Sequence, residues 1–90
     1  MLWFPVFSPT FKKRYKRKRK SLQEKVDNAI WFLLSDPDPK LFCRRKYGRL
    51  EGCYGYDLDD DNRILLKIDE EKREIHFLRV CTHRQVYGSF

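Results

Sequence analysis

Residues 63–80 read RILLKIDEEKREIHFLRV, and this stretch decides the fold. Two short runs rich in Ile, Leu, Phe and Val flank a charged centre, the pattern of two strands joined by a tight turn. The spacing predicts strands over 63–68 and 74–80 with a turn over 69–72. In the second strand, alternation puts Ile75, Phe77 and Arg79 on one face and His76, Leu78 and Val80 on the other. Just upstream, CYGYDL at 53–58 reads as a further strand. The run DDDN at 59–62 is the turn between them, because Asp and Asn bond to nearby backbone and tolerate unusual angles. The two hairpins together predict a three-stranded antiparallel meander.

The period changes toward the N-terminus. LWFPVF at 2–7 reads as a short strand, and Pro5, lacking an amide donor, pushes it to a sheet edge. Ser8-Pro9 is a helix start, with Ser as N-cap and Pro in the first turn. A helix of about 10 residues should follow, with Phe11 and Tyr15 on one face and basic residues around the rest. Ser21-Leu-Gln-Glu24 matches a capping box and predicts the start of a second helix. Leu22, Val26, Ala29, Ile30, Leu33 and Leu34 recur at helical spacing as its buried stripe. The run SDPDP at 35–39 ends it, since proline cannot continue the hydrogen-bond ladder. Amphipathic helices must bury their stripe on one sheet face. The expected architecture is therefore α+β, an N-terminal strand and a two-helix hairpin packed on the meander, in one domain over 1–90.

Composition agrees with a folded chain. Its 90 residues are 41% hydrophobic and 16% aromatic, too aromatic for a disordered segment although 37% are charged. No apolar run approaches the roughly 20 residues that span a bilayer. The opening MLWFPVFSP lacks a preceding basic segment and a following small-residue cleavage site, so a cytosolic chain is expected. The net charge of +7 is unevenly placed. Residues 1–49 hold 14 Lys/Arg against 4 Asp/Glu, and residues 50–90 hold 6 against 9. Such a basic half suits a polyanionic partner, most commonly nucleic acid.

Lys12, Lys13, Lys16, Arg17 and Arg19 form one basic cluster, and Arg44, Arg45, Lys46 and Arg49 a second. All of these but Arg44 are candidates for phosphate contact, which supplies salt-sensitive affinity without sequence choice. Cys43, Cys53 and Cys81 are an odd number at wide spacing, expected as buried, inert thiols in a reducing compartment. With His76 and His83 they offer no close Cys pair and no paired-His spacing, so neither a metal nor a cofactor is expected.

Several residues carry a resemblance when read in order. They are Phe11 in the basic helix, Ala29-Ile-x-x-Leu-Leu34-x-Asp-Pro37, Leu50-x-Gly52, Arg63-Ile-Leu-x-Lys-Ile-Asp69, and Phe77-Leu-x-Val-x-Thr-His83-x-x-Val-Tyr87. Over almost the whole chain, this set resembles the RelE/ParE superfamily of bacterial and archaeal toxins. It is nearest in style to the YafQ and YoeB-like members, ribosome-dependent messenger-RNA endonucleases silenced by a small antitoxin encoded beside them. The resemblance implies a RelE-like fold, a cognate antitoxin, and the ribosome and mRNA as partners, with no membrane and no small-molecule cofactor.

It also implies a site. Arg63 falls where RelE-type nucleases place an arginine on the scissile phosphate. His83 matches the catalytic histidine of YafQ-like members, Tyr87 the terminal aromatic, and Asp61 an acidic position. The paired lysines of RelE appear here as Tyr54 and Tyr56, and an upstream histidine of YafQ-like members has no counterpart. Arg44, Arg45, Lys46 or Arg49 stands in for it.

These residue types suit metal-free RNA cleavage. The 2′-hydroxyl attacks the adjacent phosphate, so a proton must be removed, another returned, and the phosphorane charge stabilised. Histidine, with an ordinary pKa near 6.5, transfers protons at neutral pH. Arginine offers a bidentate fork to phosphate, and tyrosine stacks on an unpaired base. Each has a plainer reading: Arg63 as the ion-pair partner of Asp57 or Asp59, Tyr87 as a packed anchor, His76 as a structural residue. The competing functions are a ParE-like toxin acting on DNA gyrase, a nucleic-acid-binding module without chemistry, and a degenerate toxin that only binds antitoxin.

Overall fold

The computed structural model describes residues 1–46 and 48–82. Its elements in chain order are β1 (Phe4–Phe7), α1 (Pro9–Lys16), α2 (Lys20–Ser35), β2 (Arg44–Arg45), β3 (Tyr54–Asp57), β4 (Asn62–Asp69) and β5 (Glu74–Thr82), with short 3₁₀ turns at Pro39–Phe42 and Gly48–Leu50. The α+β class and the three consecutive antiparallel strands are as the sequence predicts. The sheet is larger than the expected meander. It has five strands in the order β1-β5-β4-β3-β2, with β1 parallel to β5 and the other pairs antiparallel.

The N-terminal strand thus returns to pair with the last one, and Pro5 sits on the edge its missing amide demands. At the far edge, Arg44 and Arg45 pair with Gly55 and Tyr54 as a two-residue strand too short for any periodicity to announce.

Ser8 caps α1 as expected, its hydroxyl accepting from the Phe11 amide at 3.0 Å. The same hydroxyl donates to the Leu78 carbonyl at 2.6 Å, joining the helix start to β5. The capping box at Ser21 does not form. Helix α2 begins at Lys20, with Arg19 as its cap and no side-chain capping bond. A helix that starts at Lys20 places Ser21 inside its first turn, and the Gln23 side-chain amide donates to the Tyr15 carbonyl at the end of α1. Helix α2 ends at Ser35, before the prolines.

Leu22, Val26, Ala29, Leu33 and Leu34 bury the expected stripe of α2, and Ile30 packs half-buried beside them. All but Leu22 meet Ile64, Leu66, Ile75, Phe77 and Val80 of the sheet, with Phe11 from α1. Trp3 seals one end. Its indole N–H donates to the Asp36 carbonyl at 2.9 Å, and the Arg73 guanidinium lies 3.8 Å above its ring.

Val80 corrects the alternation predicted for 74–80. The β4–β5 register shifts between Leu65, which pairs with Arg79, and Leu66, which pairs with Phe77. Leu78 is therefore an extra residue, a β-bulge. Past the bulge every side chain changes face, so Val80 joins Ile75 and Phe77 in the core while Arg79 leaves it.

Candidate nucleic-acid interface and cleavage site

The reversed sheet face, away from the helices, positions Arg63. It is the second residue of β4, opposite Asp57 on β3 and Cys81 on β5. Arginine is rarely buried, yet Arg63 is only 2% exposed. Its Nε donates to Asp57 Oδ1 at 2.6 Å, and Arg44 Nε stands 3.8 Å from Asp57 Oδ2. One carboxylate thus holds two guanidinium groups at the rim of a cleft of about 310 Å³ lined also by Leu58, Asp59 and Asp60. The ion pair offered as the plainer reading of Arg63 is present, with Asp57 as the partner. Asp57 and Arg63 flank the 58–62 turn symmetrically, so hairpin register alone was the signal that joined them.

Asp59 organises that turn. Its Oδ1 accepts from the amides of Asp61 and Asn62 at 2.9 and 2.8 Å and from the Asn62 side chain at 3.0 Å. Its Oδ2 pairs with Lys25 of α2 at 3.1 Å. Burial opposes the charge, but the backbone donors and Lys25 outweigh it and hold the carboxyl down to about 2. Asp61, the predicted acidic site residue, is exposed in the same turn and gives its backbone amide to Asp59.

Of the second basic cluster, Arg44, Arg45 and Arg49 are exposed and Lys46 is 5% exposed. The Lys46 amide donates to the Cys53 carbonyl at 2.9 Å, and its side chain lies across Gly55 beside Arg63. A Cβ at Gly55 would stand 2.8 Å from Lys46 Cε and 3.3 Å from Arg63 Cδ. This glycine is the gap that lets two cationic side chains share one stretch of sheet. Lys46 was expected among surface contacts, and its burial sets it apart from them.

The first cluster divides between two surfaces. Lys13 and Arg17 join Arg14, Lys18, Thr10 and, from β5, Arg79 around a cleft of about 520 Å³. Among the described residues, five cations and no carboxylate line it. Arg14 and Arg79 were not among the expected contacts, and Arg79 reaches the cleft through the bulge that moved it off the core face. Lys12 and Lys16 instead rim an apolar groove of about 300 Å³ formed by Phe7, Phe11, Tyr15 and Ile30, with Asp27. Arg19 is exposed at the start of α2.

Cys53 and Cys81 are buried and Cys43 half-buried, all free. Burial raises all three thiols, that of Cys43 to about 12 with help from Asp57, which suits inert side chains. His83 and Tyr87 lie outside the described residues. Thr82, the residue before His83, pairs with Asn62, one rung from Arg63. No helix among the described residues is long and apolar enough to cross a membrane.

No protein-family model and no curated protein matches the sequence. Solved structures do. The RelBE2 toxin–antitoxin complex from Mycobacterium tuberculosis matches with a TM-score of 0.79 at 19% identity, over 92% of this chain and 100% of that one. YafQ from E. coli matches at 0.77 and 18%, over 96% and 99%. The YoeB–YefM complex from Staphylococcus aureus matches at 0.73 and 16%, over 90% and 97%. The chain has a RelE-like fold, with two helices on a five-stranded mixed sheet.

Proposed function

We propose that this chain, as one domain over 1–90, is the toxin of a toxin–antitoxin pair and cleaves messenger RNA on the ribosome without a metal. The observation that carries this reading is Arg63, fixed on β4 by Asp57 and set one rung from Thr82, after which His83 follows in sequence. The fold supports it, since the similar structures are toxins and toxin–antitoxin complexes.

In this reading the scissile phosphate enters the Arg44–Asp57–Arg63 cleft and competes with the Asp57 carboxylate for the guanidinium forks. The arginines stabilise the charge that builds on the phosphorane oxygens. His83 transfers a proton between the 2′-hydroxyl, the solvent and the leaving 5′-oxygen, with Asp61 as an acidic neighbour. Tyr87 stacks on an unpaired base. The cations around the α1–Arg79 cleft, with Lys12, Lys16, Arg19, Arg45 and Arg49, hold ribosomal RNA by its phosphates. Trp31, 62% exposed, with Phe32, Leu41 and Phe42 makes an apolar surface suited to an antitoxin.

A second reading is favoured by the burial of Arg63. An arginine already neutralised by Asp57 suits a member of this fold that binds antitoxin and cuts nothing. Induced expression in growing cells, with RNA 5′ ends mapped with and without active translation, separates the two. New cuts confined to translated messages support the nuclease. Their absence supports the non-cutting member, and gyrase-linked DNA breaks would favour a ParE-like action.

A further inference from the structure

The mouth of the β4–β5 hairpin, far from the Arg63 cleft, gathers a mixed donor set. Glu74 and His76 are two residues apart on β5, so both leave the face opposite Ile75 and Phe77. Asp69 is the cross-strand partner of Glu74 and shares that face. One ligand atom from each of the three residues lies within 4.8 Å of the others, and all three residues are half-buried. His76 Nε2 and Glu74 Oε1 stand 3.0 Å apart. Asp69 Oδ1 accepts the Lys72 amide at 3.1 Å, which fixes the carboxylate in the turn.

This arrangement matches what a first-row divalent ion needs. Ligand atoms about 2.0–2.2 Å from a tetrahedral ion stand roughly 3.4 Å from one another. The observed spread closes to that by side-chain rotation, because the ladder already holds the three backbones in register. One imidazole and two carboxylates are borderline-to-hard donors, suited to Zn²⁺ or Co²⁺. Phe4 and Val6, the β1 partners of Glu74 and His76, add apolar surface on one side. Lys67, cross-strand from His76, is the nearest ladder cation and is exposed. Sequence spacing hid the set, since one donor comes from the other strand of the hairpin.

We propose that Asp69, Glu74 and His76 form a site for a divalent transition-metal ion of the Zn²⁺ class, with three protein ligands and an open position for water. A bound ion ties β4 to β5 at the hairpin mouth. Asp69 lies six residues along β4 from Arg63, roughly 20 Å at strand rise, so the site stands apart from the cleft proposed for RNA.

The test is titration of the full chain with Co²⁺, then with Zn²⁺ in competition. The expected result is one ion per chain, a visible d–d absorption without a thiolate charge-transfer band, and displacement by Zn²⁺. Asp69→Asn and His76→Gln should each weaken binding by roughly tenfold or more. In the wild-type chain, Zn²⁺ should shift the ring resonances of His76, a readout that needs no variant to fold. No absorption and no resonance shift would overturn the site. A thiolate band, a shift confined to His83, or unchanged binding in the two variants would overturn it equally, by placing the ion elsewhere.

Discussion

Arg63 and Asp57 meet across the β3–β4 ladder at 2.6 Å, the arginine side chain 3% exposed and the aspartate 43% exposed. The pair is half in water, so the carboxylate can be displaced while the guanidinium stays where the sheet holds it. Asp57→Asn should cost about 1–3 kcal/mol in urea denaturation, less than a fully buried pair. Arg63→Lys keeps the charge and loses the fork, so it should both destabilise and slow cleavage. A stable Arg63→Lys variant cutting at the wild-type rate would remove Arg63 from the chemistry.

His83→Gln should lower single-turnover cleavage by roughly 10²- to 10⁴-fold with ribosome affinity nearly unchanged. The products should carry a 2′,3′-cyclic phosphate and a 5′-hydroxyl. Stripping Zn²⁺ with a chelator, at a magnesium level that keeps ribosomes intact, should leave the rate as it was. End-group analysis and quench-flow kinetics measure both, and an unaltered rate in the variant defeats the assignment.

Neutralising Lys13, Arg14, Arg17, Lys18 and Arg79 to Gln should weaken ribosome pelleting and reduce its log–log salt slope. Each lost phosphate contact lowers that slope by roughly 0.7–0.9. The same treatment of Lys12 and Lys16, which rim the apolar groove, should lower it less. Equal effects from both sets would mean that the cleft has no special part in binding.

Asp59 links stability to acid. Its folded pKa of about 2 lies below the unfolded value near 3.9, so it stabilises fully above that unfolded value. The contribution is lost as the pH falls from about 4 through 2. Asp59→Asn should therefore flatten the acid limb of a urea-midpoint profile, leaving a smaller loss at pH 7 from the broken Lys25 pair. A mutant profile parallel to that of the wild type between pH 5 and 2 would show that Asp59 does not set the limb.

Removing Leu78 tests the bulge. The deletion returns β5 to strict alternation with Val80 still on the core face and Arg79 still off it, so the chain should keep a cooperative unfolding transition by circular dichroism, and its loss would show that the bulge itself is needed. Ser8→Ala removes the cap on α1 and the partner of the Leu78 carbonyl together, and should cost about 1–2 kcal/mol.

What could be read from sequence was what neighbouring residues decide. Ser8-Pro9 starts α1 and Ser35 precedes the prolines that stop α2, because caps and prolines act within a turn of the chain. Strands β3 to β5 follow from turn chemistry over 59–62 and 69–72. The parallel pairing of β1 with β5 depends on residues about seventy positions apart and leaves no local mark. The bulge at Leu78 is a single inserted residue among apolar neighbours, invisible to a period of two, and it alone decides that Val80 is core and Arg79 is surface. The capping box failed because tertiary fit at Gln23 and Tyr15 outweighed a local motif worth about 1 kcal/mol. Asp57 was legible as a partner for Arg63, whereas the depth at which the pair holds Arg63 was not.

The union of β1 with β5 also fixes an order of events. Synthesis delivers Phe4–Phe7 first, but its neighbour in the sheet among the described residues is Glu74–Phe77, and the Ser8 hydroxyl must wait for the Leu78 carbonyl. Until then the aromatic residues of the first strand and helix have no sheet to lie on. Contacts so distant in sequence close late and slowly. Translation of residues 1–73 therefore yields no partner for the first strand, and a message interrupted before residue 78 leaves both that strand and the Ser8 hydroxyl without their native contacts.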